Sequence, residues 1–237
     1  MDRNEFNDKY AQLRIEIVET PPLSAEYIEF RDVVWKEKVQ EWSDAGKEIF
    51  NGTLYRYMGR DGNTIKLGLM TYADRLVRTK ISVTEIEKRF GKDHVMQNCC
   101  VDLLPITTDG KIVVGIKKNS VDLHTDKLAY IGGNMNKEEV RVRDFEDVYS
   151  MMMVEISEES NIPLEREKLS FIKLGLADGW ASFYFVYRLD IPSERIGELF
   201  KDGEFVRLVA MSREEIKKTD YPAVGDLNLS KDWIDEV

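Results

Sequence analysis

The chain has 237 residues, 43% of them hydrophobic and 33% charged, which is the composition of a globular protein with room for one large domain, or a small module and a typical domain. A formal charge of −10 and a sequence pI near 4.9 argue against non-specific nucleic-acid binding, which needs a basic face. The adjacent Cys99 and Cys100 are not expected to form a structural disulfide, and with two histidines a Cys/His zinc centre is not expected either. No apolar run approaches the roughly 18 residues of a membrane span, and MDRNEFNDKY has no apolar leader core, so a cytoplasmic protein with no membrane partner is expected. Oligomeric state is not readable.

Taken in order, Tyr10 to Val18 alternates as a strand and Pro21-Pro22 closes it. Ser24 caps a helix through Trp42, with Tyr27, Phe30, Val34, Trp35, Val39 and Trp42 as packing positions. Leu54 to Tyr57 and Ile65 to Tyr72 form a hairpin around Asp61-Gly62-Asn63, and Ser82 to Phe90 is a short helix ended by Gly91. Cys99 to Thr107 and Lys111 to Lys117 are paired strands, with the two cysteines pointing to opposite faces. Leu128 to Ile131 then delivers the chain to Gly132-Gly133. Leu169 to Leu176 and Ser182 to Leu189 are strands, Ser193 to Phe200 a helix, Glu204 to Met211 a strand and Ser212 to Lys218 a helix before a polar tail. No internal repeat is visible. The expected class is α/β (α+β): an N-terminal α+β module over residues 1–97 and a mixed-sheet α/β/α sandwich over residues 98–237.

The helix after Gly132-Gly133, within Arg143 to Pro163, organises this reading. At about 100° per residue, Glu155, Glu158 and Glu159 share an arc of roughly 100° with Val148, Met151 and Met152. An apolar stripe therefore runs into three carboxylates, and the helix holds no Lys or Arg to pair with them. They are either the solvated end of an amphipathic helix or the ligands of a divalent cation such as Mg²⁺, with Mn²⁺ an alternative.

Gly-Gly after an apolar strand, followed by a helix ending Glu155-Ile156-Ser157-Glu158-Glu159-Ser160-Asn161-Ile162, resembles the signature of the Nudix hydrolases. Glu146 takes the first Glu of that box. Three departures are plain. Val154 stands where the box has Arg, which leaves Glu146 without its usual partner. Asn161 stands where it has the helix-ending Gly, as the next best left-handed cap, and twelve residues separate Gly133 from Glu146 where the family has five, implying an insertion at roughly Asn134 to Val142. Phe50-Asn51-Gly52, Tyr55-Arg56 and Leu67-Gly68-Leu69, with Asn161-Ile162-Pro163 after the box, are similar to the UDP-sugar pyrophosphatases within that family.

The resemblance implies a Nudix sandwich and Mg²⁺-dependent hydrolysis of a small-molecule nucleoside diphosphate derivative. A UDP-sugar giving UMP and a sugar 1-phosphate is the first expectation, with ADP-ribose or a non-catalytic nucleotide-binding module as alternatives. It assigns Glu155, Glu158, Glu159 and the Gly132 carbonyl to the metal, and Glu158 or Glu159 to proton transfer. Substrate contacts are sought among Arg56, Arg75, Arg78, Lys117 and Lys118 for phosphates, and Trp180, Phe183 and Tyr187 for base stacking. His124 and Asp178 are weaker candidates.

Overall fold

A computed structural model of the chain describes residues 12–118, 126–177, 179–223 and 225–237. The start of the first expected strand, His124 and Asp178 lie outside these residues.

Strand β1 (Arg14–Ile17) leads to α1 (Ala25–Asp44), whose Ser24 hydroxyl accepts from the Tyr27 N–H at 3.3 Å as expected of an N-cap. Only Tyr27 and Val34 of α1 are buried; Trp35 and Trp42 are half-buried and Val39 is exposed, so the expected aromatic face is only partly covered. The hairpin is β2 (Thr53–Asp61) and β3 (Thr64–Thr71), and β3 runs directly into α2 (Tyr72–Val77). Next comes α3 (Val83–Phe90), closed by Gly91 at φ 94°. These elements share a small core of Tyr27, Leu54, Met70, Val77, Ile86 and Met96.

The larger part contains β4 (Asn98–Ile106), β5 (Ile112–Lys117), β6 (Leu128–Ala129), β7 (Ile131–Asn134), α4 (Phe145–Glu159), β8 (Ser170–Ala177), β9 (Trp180–Arg188), β10 (Phe205–Met211), α5 (Arg213–Lys218) and α6 (Gly225–Ser230). Among the described residues the ten strands form one mixed sheet whose main path is β1-β3-β2-β4-β5-β10, with β7 and β9 also on β4, β8 on β9 and β6 on β5. The β1–β3 and β4–β9 pairs are parallel. The N-terminal hairpin joins the rest through Arg56 opposite Asn98, and its Tyr55, Ile65 and Leu67 enter the main core.

Alternation along β9 separates the two faces. Phe183 and Phe185 meet Phe145 and Tyr149 of α4, whereas Tyr184 meets Trp233, ring centroids 4.8 Å apart. The C-terminal segment read as a polar tail is thus the opposite helical layer: Leu227 and Ile234 are fully buried, and the Ser230 hydroxyl lies 2.6 Å from that of Tyr130. Residues Ser193–Leu199 form a 3₁₀ rather than an α-helix. Asn161 is not a left-handed cap either. The helix ends at an extended Ser160, and Asn161 is held sideways, its N–H on Leu199 O at 2.9 Å and its side chain on Phe200 O at 2.8 Å.

Candidate active site

Helix α4 starts well capped. Asp144 accepts from the N–H groups of Glu146 and Asp147, and Asp147 returns a bond, completing a capping box. The expectation that Glu146 has lost its partner is corrected. Arg166, in the 3₁₀ turn Arg166–Lys168, forms a two-pronged pair with the Glu146 carboxylate while its guanidinium lies 3.4 Å over the Tyr149 ring. An Arg twenty residues downstream thus braces the helix where Val154 cannot.

The other end of α4 is the opposite case. Glu155 and Glu159 are each only 8% exposed, so for these two the solvated-face reading fails, whereas Glu158 stays exposed. Burial raises Glu155 to about 9, with the neighbouring charges of Glu159, Glu139 and Glu158 adding to it and Lys117 opposing. Glu159 is raised to about 7, again chiefly by burial, against which Lys117 and the Gly132 N–H pull it down.

The two glycines make this arrangement possible. The Gly132 N–H donates to Glu159 Oε2 at 2.9 Å. At φ 150° a Cβ on Gly132 would run into the Val101 carbonyl across the β4–β7 pair, and one on Gly133 would occupy the space of the Glu155 carboxylate. Both carboxylates, with Glu158, border a cavity of about 520 Å³. The insertion supplies a further carboxylate that the sequence reading missed. Glu139 lies on the cavity wall, bonded to the Asn136 amide at 2.8 Å, and burial raises its pKa. Asn136 forms a bridge to Leu54, and Lys137 and Val142 bond to Thr53 and the Tyr55 hydroxyl, so the insertion is anchored on the N-terminal hairpin.

The remaining candidates separate. Lys117 and Trp180 line the cavity, but Lys117 is already ion-paired with Glu204. Arg56 is a correction: 4% exposed, it donates to the Asp93 and Val95 carbonyls at 3.1 and 3.3 Å, a structural cation beneath the small core. Tyr187 is another, 3% exposed with its hydroxyl on Pro163 O at 2.9 Å, and Phe183 is a fully buried core residue. Arg78 lies against Gly179 and 4.4 Å over the Trp180 ring, outside the cavity lining, and Lys118 pairs with Asp202. Cys99 goes to the core and Cys100 to the cavity, as alternation required.

Do these residues suit a divalent cation? Two buried carboxylates, neither ion-paired among the described residues, present hard oxygen donors whose charge Lys117, itself paired with Glu204, offsets only in part, and that donor set suits Mg²⁺ or Mn²⁺. Among the described residues no three acidic, His or Cys side chains stand close enough together to hold a metal ion by themselves. An open arrangement is what Mg²⁺ tolerates, since waters and substrate phosphates complete its shell.

No model of a known protein family matches the chain, and no curated protein does. Solved structures do. The DR0079 protein of Deinococcus radiodurans superimposes with a TM-score of 0.50 at 14% identity, over 78% of this chain and 98% of that one. The chain has a Nudix-like α/β/α sandwich fold. The Nudix domain of Shewanella oneidensis NrtR, solved with ADP ribose, matches at a TM-score of 0.44 and 11% identity over 66% of this chain and 98% of that. A bifunctional NMN adenylyltransferase/ADP ribose pyrophosphatase from Francisella tularensis matches at 0.44 and 18%, over 69% and 48%.

Proposed function

We propose that the protein is a Mg²⁺-dependent pyrophosphohydrolase acting on a nucleoside diphosphate joined to a second group, with a UDP-sugar, cleaved to UMP and sugar 1-phosphate, as the preferred substrate. The observation that carries this reading is the pair Glu155 and Glu159, buried side by side against Gly132-Gly133 on the wall of a cavity large enough for a nucleotide. Folding alone gives no reason to hide two carboxylates that, among the described residues, have no ion-pair partner. The UDP-sugar preference is supported by the Phe50-Asn51-Gly52 stretch, since Phe50 and Gly52 border the same cavity.

Glu155, Glu158, Glu159 and the Gly132 backbone would hold the metal. When bound, it neutralises diphosphate charge and lowers the pKa of an attacking water. The chain's own part is positioning. The Gly132 N–H fixes the Glu159 carboxylate, the absent side chains of the glycines let both carboxylates reach the cavity, and Glu158 or Glu159, the former exposed at the rim, would take a proton from water. Phosphoryl transfer asks for little beyond such positioning and charge stabilisation.

The test is release of monophosphate products, read by a coupled phosphatase, from UDP-glucose and ADP-ribose in Mg²⁺ and in EDTA. Metal-dependent turnover of UDP-glucose with little of ADP-ribose is the expected result. Turnover of ADP-ribose instead would keep the mechanism and discard the sugar nucleotide. Tight nucleotide binding with no cleavage of either would replace the hydrolase by a binding module.

A further inference from the structure

The Phe50-Asn51-Gly52 stretch has a definite mechanical role. The Asn51 side chain accepts from the Ala73 N–H at 2.8 Å and the Gly52 carbonyl from the Tyr72 N–H at 2.9 Å, so the loop seats the first turn of α2, with Thr71 and Asp74 completing a capping box. That turn fixes Tyr72 and Arg75, and both border the cavity.

Arg75 is 5% exposed. Its Nη1 donates to the Tyr72 hydroxyl at 2.9 Å, and its guanidinium lies 5.1 Å from the Tyr72 ring and 5.3 Å from the Trp180 ring. Among the described residues its buried Nε has no hydrogen-bond partner and no carboxylate lies within ion-pair distance of the guanidinium. The adjacent Asp74 is turned away, on the α2 cap and Arg31. Among the described residues, one cavity is therefore walled by buried carboxylates with no ion-pair partner and, elsewhere, by a buried guanidinium with none. Strand β4 measures their separation: Asp102 is in register with Gly132 and Asn98 with Trp180, four residues or about 13 Å along the strand. Between them the lining is polar, with Cys100, Asn134 and Ser182, whose hydroxyl is buried without a partner among the described residues.

We propose that Arg75, with Tyr72 and Trp180, is an anion subsite for the part of the ligand lying furthest from Glu155 and Glu159, so that the substrate is a nucleoside diphosphate derivative bearing an additional carboxylate or phosphate. The substrate class rests on the hydrolase reading; the subsite does not. A guanidinium buried without a counter-charge is costly, and a carboxylate or phosphate reaching it from the cavity would meet it with charge-assisted hydrogen bonds. Stacking of a base on Trp180 is the weaker alternative, because Arg75 and Arg78 already lie over that ring.

Two experiments on the full chain separate the claims. In metal-free protein, inorganic phosphate titrated against tryptophan fluorescence should bind the wild type and bind Arg75→Gln at least about tenfold more weakly, the loss expected for a charge-assisted contact. Arg75→Lys, which keeps the charge and the packing stem, should fall between them. Equal phosphate binding by wild type and Arg75→Gln, both with native melting curves, or none by the wild type, would overturn the subsite. In turnover with Mg²⁺, UDP-glucuronate should exceed UDP-glucose, or 2′-phospho-ADP-ribose exceed ADP-ribose, by about tenfold in kcat/KM, and Arg75→Gln should erase that preference. The first pair reports a carboxylate and the second a phosphate. No discrimination within either pair would overturn the substrate assignment, whereas phosphate binding at Arg75 without cleavage of any diphosphate would sink the hydrolase and keep the subsite.

Discussion

The two ends of α4 carry the same residue type and treat it in opposite ways. At the N-terminal end Glu146 is 62% exposed and paired with Arg166, and Asp147 is paired with Arg143. At the C-terminal end Glu155 and Glu159 are 8% exposed and pair with no cation among the described residues. Exposed pairs of the first kind contribute about 0–1 kcal/mol each, while buried unpaired carboxylates cost the fold several. A fold that supplies ion-pair partners to two carboxylates of α4 and withholds them from two others marks the second pair as the part not selected for stability.

The strongest way to break that contrast is at its costly end. Glu159→Gln should reduce metal-dependent turnover on the order of 10³-fold while leaving the folded state intact, as read by steady-state kinetics beside a thermal melt. Unchanged turnover would mean that the buried pair is not the site. Next come the glycines. Gly132→Ala should destabilise by on the order of 3 kcal/mol, because its Cβ meets the neighbouring strand's backbone at a positive φ, whereas Gly133→Ala should displace Glu155 and lose activity with a smaller loss of stability. Denaturant titration of both variants distinguishes them.

The shared placement of those glutamates was legible in the sequence because they lie within one helix, where a 3.6-residue period fixes their common face. The brace was not. Arg166 reaches Glu146 across twenty residues, and nothing in its local pattern distinguishes it from a solvated Arg. Arg56 failed in the reverse sense: a charged residue in a half-polar strand reads as surface, and only the closing of α1 and the 92–96 segment around it makes it a buried donor to main-chain carbonyls. The C-terminal layer was missed because Leu227, Trp233 and Ile234 are sparse among Asp, Ser and Lys, too few to reveal a period. Glu139 becomes a neighbour of the site only through the insertion, whereas Arg75 was among the expected phosphate contacts, and the Asn51 loop is what sets its helix against the cavity.

A subtler effect sharpens the comparison without any mutation. Glu155 and Glu159 have native pKa values of about 9 and about 7, above the 4.5 of a free Glu, so the folded chain binds more protons than the unfolded one across that interval. Their contribution to stability is therefore present near pH 4.5 and lost as pH rises through about 7 and about 9. Metal-free protein should melt at progressively lower temperature over that range, by roughly 2–4 °C per kcal/mol lost, and Glu155→Gln should flatten the decline. Saturating Mg²⁺ should remove it, since the ion supplies the missing positive charge.

The smallest effect belongs to the other end of α4. Arg166→Met should lower stability by about 0–1 kcal/mol and turnover by less than about tenfold, because its pair with Glu146 is solvent-screened and remote from the cavity. An effect as large as that of Glu159→Gln would show that the brace, rather than the buried pair, limits the site.

The most direct test is a titration of Mn²⁺ followed by electron paramagnetic resonance, with UDP present to complete the metal's shell, on wild type and Glu159→Gln. The structure predicts that the wild type withdraws Mn²⁺ from solution and that the variant does so far more weakly. Equal binding by the two proteins, or none by the wild type, would contradict the claim that this buried carboxylate pair exists to hold a metal.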